Sequence, residues 1–330
     1  MIAAHNPRRA PDISRLLHVQ PHAQRFTDRC ARQLDTLLQP GDVLVVNDAA
    51  TLPASLPLVG GLELRLLAWQ GGARWRAVLF GVGDWREDTD KRPPPPTVQA
   101  GAVLHLLGGL SITIEGVSPL SPRLLSVRFG AEGADLWAAL YAAGRPVQYS
   151  YVDQDVPLWA VQNVFAGRPW AVEMPSAGRV LTASVLGRLR QRGVGIHRLT
   201  HAAGLSATGD SVLDAALPLP ERYDIPEETL RAVEGARRVV AAGTSVVRAL
   251  EGNLRERGGA AGEGVTGLRI TPDFVPQVVD GVLTNMHEPG ESHFELLAAF
   301  AGAGLLAEAG RHAIARGYLA HEFGDVMLIL

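Results

Sequence analysis

Apolar runs and polar punctuation follow two different rhythms along the 330-residue chain. The run Val43-Leu44-Val45-Val46 follows the Pro40-Gly41 turn and ends on Asn47-Asp48, so Gly41 to Asn47 reads as a buried strand with its polar residues at the terminus. From Leu58 to Phe129 the rhythm shortens into apolar segments cut by Gly and Pro. Leu62 to Trp69 and Arg74 to Phe80 flank Gln70-Gly71-Gly72 as the arms of a hairpin, and Ala102 to Leu107, Leu110 to Val117 and Leu124 to Phe129 read as further strands. Short strands without a long helix predict a small antiparallel barrel or sandwich. A short helix, Asp135 to Ala143, stops at Gly144, and helices then alternate with strands. Ala183 to Arg192, Pro226 to Gly235, Thr244 to Glu251 and Glu291 to Gly302 read as helical; Gly195 to Leu199, Arg238 to Ala242 and Val278 to Leu283 read as strands. The predicted fold is an α/β main domain, residues 1–57 plus 145–330, interrupted by an inserted antiparallel β-barrel domain, residues 58–144.

The length fits this division, at roughly 150 residues per domain. Hydrophobic residues at 47% and charged residues at 20% exclude disorder as the main state. The single cysteine, Cys30, excludes an internal disulfide and any Cys-based zinc or iron–sulfur site. Met1 to Gln20 carries Arg8, Arg9, Asp12 and Arg15 and no apolar signal region, and Leu296 to Ala307 is far shorter than the roughly 20 apolar residues that span a bilayer. A soluble, cytoplasmic protein without a membrane partner is expected, as a monomer or weak oligomer. Net charge of −3 gives no bulk attraction to nucleic acid, so an RNA partner requires a local basic patch. Lys91 is the one lysine among 31 basic residues, which excludes a Walker-type loop, argues against Schiff-base chemistry and leaves anion recognition to arginine.

Two strand-to-helix junctions concentrate candidate chemistry, because α/β sheets bind ligands beyond the carboxyl ends of strands, at helix N-termini. At the first, Gly243 lets the backbone approach a ligand, Thr244 or Ser245 caps the helix, and Arg248 and Glu251 follow; an ordinary cap with a surface ion pair is the alternative. The second, Leu283 to Gly290, is dense in Thr284, Asn285, His287 and Glu288. His287 is its general acid or base candidate, since the ordinary pKa of histidine lies nearest neutrality; a loop histidine bonded to the backbone is the alternative. His197 and His201 have the spacing of a helical metal pair, but on a strand their rings stand about 13 Å apart, so no metal site is expected. Met174 to Gly178 is a tight polar turn able to contact a ligand or merely to precede a helix. Trp69, Trp75 and Trp85 are expected to pack the β domain, with a base-stacking surface as the alternative.

Taken together, these segments resemble the S-adenosylmethionine:tRNA ribosyltransferase-isomerase family of queuosine biosynthesis. Asp12 to Leu17 is similar to its R-D-x-S-R-L-L start, Pro40 to Asp48 to P-G-D-L-L-V-x-N-D, Val161 to Ala166 to Y-Q-T-V-Y-A, and Met174 to Gly178 to A-P-T-A-G. Gly243 to Glu251 resembles G-T-T-S-V-R-A-L-E, Thr284 to Pro289 T-N-F-H-L-P, Ala298 to Gly302 S-A-F-A-G, and Phe323 to Ile329 F-G-D-A-M-L-I. The resemblance covers nearly the whole chain and implies an α/β domain with an inserted β-barrel. It implies transfer and isomerisation of the ribosyl part of S-adenosylmethionine onto 7-aminomethyl-7-deazaguanine in tRNA, with that donor as substrate and no metal. On that basis His287 is expected to transfer the proton, Asn285 to orient it or the ribose, and Asp48 to bond a ribose hydroxyl or the acceptor amine. Asn47, Gln162, Ser176, Gly178, Gly243, Thr244 and Ser245 would frame the donor, and Arg248 would pair its carboxylate.

The sequence departs from the family at Arg179-Val180-Leu181, where L-H-F is usual, and at Ala202 to Ala207, where a glycine-rich stretch is usual. Ala50 and Ser55 stand where the family carries arginines, and Glu288 to Ser292 replaces L-P-K-S-T. These exchanges remove positive charge that would hold an RNA backbone. A transferase or lyase with a small-molecule acceptor, and an inactive nucleoside-binding paralogue, therefore stand as alternatives.

Overall fold

In the computed structural model, which describes residues 1–330, Asp42–Asn47 lies inside a nine-stranded sheet and every one of its residues is buried. Strand order is Gly262–Thr266, Glu221–Ile225, Gly195–His201, Asp42–Asn47, Arg238–Ala242, Gly281–Asn285, Val326–Ile329, Arg15–Gln20, Arg25–Cys30. Gly195–His201, Asp42–Asn47, Arg238–Ala242 and Gly281–Asn285 run parallel, and the largely apolar composition of Asp42–Asn47, Arg238–Ala242 and Gly281–Asn285 reflects cover on both faces, whereas Gly195–His201 is buried only from Leu199 onward. Helices Thr244–Arg257, Ser292–Ala301 and Ala303–Ala315 pack one face around Val45, Val247 and Leu297; Ala183–Gln191 and the turn Ala31–Thr36 pack the other around Leu44, Val185 and Leu34. The expected α/β layering is present.

The second sheet is antiparallel and six-stranded: Ser55–Pro57, Glu63–Gly71, Arg74–Phe80, Leu124–Phe129, Ser111–Val117, Val103–His105. Gly71 and Gly72 take φ of 103° and 53° between the hairpin arms, a conformation that favours glycine. The sheet curls until its first and last strands meet: Val59 N donates to His105 O and Leu107 N to Pro57 O, both at 2.9 Å. Its core takes Leu136 and Leu140 from helix Gly133–Ala143 and also Leu205 and Leu213 from far along the chain. Of the tryptophans expected to pack this domain, Trp75 lies in its core, Trp85 is buried instead among Ala4, Val152, Val161 and Phe323 of the larger part of the chain, and Trp69 is 46% exposed.

The structure adds elements that the periodicity did not reveal. Arg15–Gln20 and Arg25–Cys30 pair at one edge of the large sheet and Glu221–Ile225 with Gly262–Thr266 at the other. The outermost strands, Arg25–Cys30 and Gly262–Thr266, carry mostly charged, polar or glycine positions, so they lack an apolar signature.

Candidate active site at the carboxyl ends of the parallel strands

Asn47, His201, Ala242 and Asn285 end the four parallel strands. The Asn47 amide donates to His201 O at 3.0 Å and Ser245 Oγ at 3.3 Å, while its oxygen accepts from Ala49 N and His201 N, so it ties two strands to the start of helix Thr244–Arg257. Asp48 accepts from Thr200 Oγ1 at 2.5 Å, and Arg198 Nε lies 3.8 Å away. Gln162 pairs its amide with the backbone N and O of Thr51, both at 2.9 Å. A Cβ at Gly178 would lie 2.6 Å from Asn163 Nδ2, whose amide donates to Pro175 O, so only glycine permits this packing. The turn so held aims Ser176 at the last residue of Gly281–Asn285: Ser176 Oγ donates to Asn285 Oδ1 at 2.8 Å. Gly243, at φ 104°, sits against Ala177 of the same turn.

Thr284 and Asn285 alternate across the strand and therefore serve opposite sides. On the Thr284 side, His287 Nε2 lies 3.1 Å from Thr284 Oγ1 and its Nδ1 3.2 Å from Glu291 Oε2, and the ring stacks on His293 with centroids 4.8 Å apart. Burial alone would raise the Glu291 carboxyl, but the hydrogen bond and charge of His287 hold it below its ordinary range. Burial, with the charge of His287, pushes His293 down to about 3. Behind them Arg248 donates through Nε to Leu268 O at 3.0 Å and through Nη1 to Glu221, leaving Nη2 buried and unpartnered. His201 lies 3.4 Å from the same Glu221 carboxylate; it is fully buried, neither ring nitrogen is hydrogen-bonded, and burial lowers it to about 4.

On the other side, Asn285 Nδ2 donates to His321 O at 3.2 Å. His321 holds φ 65°, a left-handed conformation that histidine tolerates better than most residues but that still costs on the order of 1 kcal/mol. The turn persists because Gly324 N bonds back to His321 O, a Cβ at Gly324 would meet Leu319 O at 2.4 Å, and buried Asp325 accepts from Leu319 N and Arg15 N. The His321 ring stacks on Tyr151 at 4.1 Å, and Tyr151 on Tyr149 at 6.0 Å. Tyr151 donates to Glu322, and Tyr149 to Glu173, which also accepts from Ser206 N at 2.8 Å and Ser206 Oγ at 3.2 Å. Burial raises the Glu173 carboxyl to about 7. Arg179 sits over the Phe323 ring at 4.7 Å and donates to Glu322 O, and burial lowers its guanidinium to about 10. Tyr149, Tyr151, Glu173, Met174, Glu322 and Phe323 line a narrow cleft that opens to solvent.

The strand-end candidates thus fall into separate hydrogen-bonded groups: Asn285 with Ser176 and His321, His287 with Thr284 and Glu291, Asn47 with Ser245, Asp48 with Thr200 and Gln162 with Thr51. Sequence reasoning missed Tyr149, Tyr151, Glu173 and His321. Their only local signal is proximity to Met174–Gly178 and to Phe323-Gly324-Asp325. No group of three or more His, Cys, Asp or Glu is placed to hold a metal ion, His197 and His201 included.

Histidines, carboxylates and a partly free arginine beyond the ends of parallel strands, beside an aromatic cleft, define an α/β enzyme with acid–base groups at its strand ends. The chain matches the family described as queuosine biosynthesis protein over residues 1–329, and it belongs to that family. It is 36% identical over 336 residues to S-adenosylmethionine:tRNA ribosyltransferase-isomerase of Thermus thermophilus, covering 97% of this chain and 93% of the relative. To the enzyme of that name from Rubrobacter xylanophilus it is 34% identical, covering 100% and 94%. The crystal structure of S-adenosylmethionine tRNA ribosyltransferase from Thermotoga maritima aligns with a TM-score of 0.54 at 27% identity, covering 100% of this chain and 96% of that one. No helix is long and apolar enough to cross a membrane.

Proposed function

We propose that the protein transfers and isomerises the ribosyl moiety of S-adenosylmethionine onto 7-aminomethyl-7-deazaguanine in tRNA, giving epoxyqueuosine and releasing adenine and methionine. The observation that carries this reading is the match along the whole chain to a family whose relatives bear that name. An arginine–aromatic surface supports tRNA over a small acceptor, through stacking faces rather than net charge, since Arg168 pairs with Asp224 at 2.6 Å. Arg222 lies over the rings of Trp69 and Trp170 at 4.8 and 3.3 Å, Arg168 lies over Trp170 at 4.7 Å, and exposed Arg198 borders Asp48.

In this reading the sulfonium of the donor acidifies the neighbouring C5′ hydrogens and His287 takes one. Its Glu291 partner stabilises the imidazolium that results. Arg248 receives the donor's carboxylate through its unpartnered Nη2, because Glu221 already holds Nη1. The backbone from Gly243 to Ser245 offers helix N–H groups, with Thr244 at the first position. Asp48 bonds a hydroxyl or the acceptor amine, while Asn47, Gln162, Ser176, Gly178 and Asn285 hold the strand ends in register. We place residues 58–144 as an inserted β-barrel domain in a main domain of 1–57 plus 145–330. Support comes from the meeting of its edge strands, although Ser55–Pro57, Leu205 and Leu213 also join that sheet or its core. The protein acts as a monomer or weak oligomer in the cytoplasm, a setting that its single free cysteine fits.

Adenine release from S-adenosylmethionine, measured with and without tRNA carrying the aminomethyl base, tests the reading. Release only with that tRNA is expected. Release without it would establish a lyase or another acceptor.

A further inference from the structure

Glu173 is a carboxyl without a cation. Three donors, Tyr149 OH, Ser206 N and Ser206 Oγ, converge on its Oε1, and Oε2 accepts no hydrogen bond within the protein. Around it stand the charged and titratable groups Tyr149, Tyr151, Glu322 and, behind the Tyr149 ring at 5.5 Å, Arg65. Arg65 is paired with Glu63 at 2.7 Å, and Arg179 is turned to Glu322 O and the Phe323 ring, so neither forms an ion pair with Glu173. The open space is therefore bounded by the carboxyls of Glu173 and Glu322 and the stacked rings of Tyr149 and Tyr151, the latter backed by His321. Aromatic faces and an open carboxylate oxygen together attract a cation, and the open acceptor specifies a cation that donates N–H. A sulfonium would satisfy the rings but leave Oε2 without its hydrogen bond.

We propose that this cleft is the seat of a primary alkylammonium group, bound through Glu173 Oε2 and the faces of Tyr149 and Tyr151. The inference rests on the functional reading above, which brings two such groups to the enzyme: the aminomethyl group of the acceptor base, and the α-ammonium of S-adenosylmethionine, whose seating here would move the neighbouring donor carboxylate away from Arg248 on the opposite side of the strand. Binding has a proton signature. Since the free Glu173 carboxyl titrates near 7, it is about half protonated at neutral pH, and an ammonium docking on it drives the proton off.

Titration calorimetry at pH 7, in two buffers of different ionisation enthalpy, tests this on the wild-type protein and Glu173→Gln. The ligands are S-adenosylmethionine, tRNA carrying 7-aminomethyl-7-deazaguanine, and the same tRNA with guanine in its place. The wild type is expected to release about half a proton with one of the first two ligands. Glu173→Gln is expected to release none with it and to bind it roughly tenfold or more weakly, as loss of a hydrogen bond to a charged group implies. A signal with S-adenosylmethionine assigns the seat to the donor; a signal with the aminomethyl tRNA but not its guanine counterpart assigns it to the acceptor. Tyr149→Phe, which keeps the carboxyl but removes a hydrogen bond that lowers it, is expected to move the pH of maximal release upward. Equal proton release and affinity in wild type and Glu173→Gln for both ligands overturns the proposal. These are binding readouts, so absence of adenine release by the wild type would overturn the functional reading separately.

Discussion

Glu63 and Glu173 are two carboxyls withdrawn from water on either side of Arg65 and Tyr149, and their surroundings differ in one respect. Glu63 accepts from Arg65 Nε at 2.7 Å and Ser55 Oγ at 2.6 Å and is also bonded by Arg92. Burial would raise it, but the two guanidiniums hold it below its ordinary range. Glu173 has hydroxyl and amide donors in place of guanidiniums, and burial carries it to about 7. The neutralised carboxyl braces the curled sheet; the other is left responsive to whatever cation enters the cleft.

The strongest way to break this comparison is Glu63→Ala, which leaves Arg65 and Arg92 buried and unpaired. A loss of about 3–5 kcal/mol is expected, read from the urea midpoint at constant slope. Unchanged stability would remove Glu63 from its bracing role. His287→Gln is expected to lower kcat for adenine release by about 10²–10⁴-fold while leaving donor affinity near the wild-type level. Full turnover by this variant would eliminate His287 as the proton-transfer group.

Glu173→Gln sharpens the comparison through pH. The folded carboxyl titrates near 7 and the unfolded one near its ordinary 4.5, so between these values the native state binds more protons and wild-type stability falls as pH rises. The glutamine variant lacks that decline. Its melting temperature relative to wild type should therefore climb by a few °C between about pH 5 and pH 7.5, as thermal scans would show; a constant difference would contradict the environment assigned to Glu173. The smallest effect is expected from Tyr151→Phe, which loses the bond to Glu322 but keeps the stack on His321, at about 1 kcal/mol in denaturant titration.

The same contrast explains what could be read from sequence. Asp42–Asn47 and Arg238–Ala242 are covered on both faces and announce themselves as apolar runs, and Gly71-Gly72 marks its hairpin through backbone conformation. Ser176 and Asn285 were legible as motif residues and prove to touch. Asn47, Gln162 and Gly178 were legible for the same reason, yet their groups are engaged with backbone or packed against neighbours. Tyr149, Tyr151, Glu173 and His321 were not legible, because they sit in irregular segments that only long-range contacts bring together, and no local period records such contacts. Orphaned nitrogens on His201 and Arg248 are likewise properties of packing alone.

The most direct test of the account follows the carbon skeleton. S-adenosylmethionine labelled with ¹³C in its ribose is incubated with the enzyme and tRNA carrying the aminomethyl base, and the digested nucleosides are weighed by mass spectrometry. The account predicts all five ribose carbons on the deazaguanine nucleoside, with adenine and methionine released in equal amount. Adenine released while the label stays in a small molecule would contradict it.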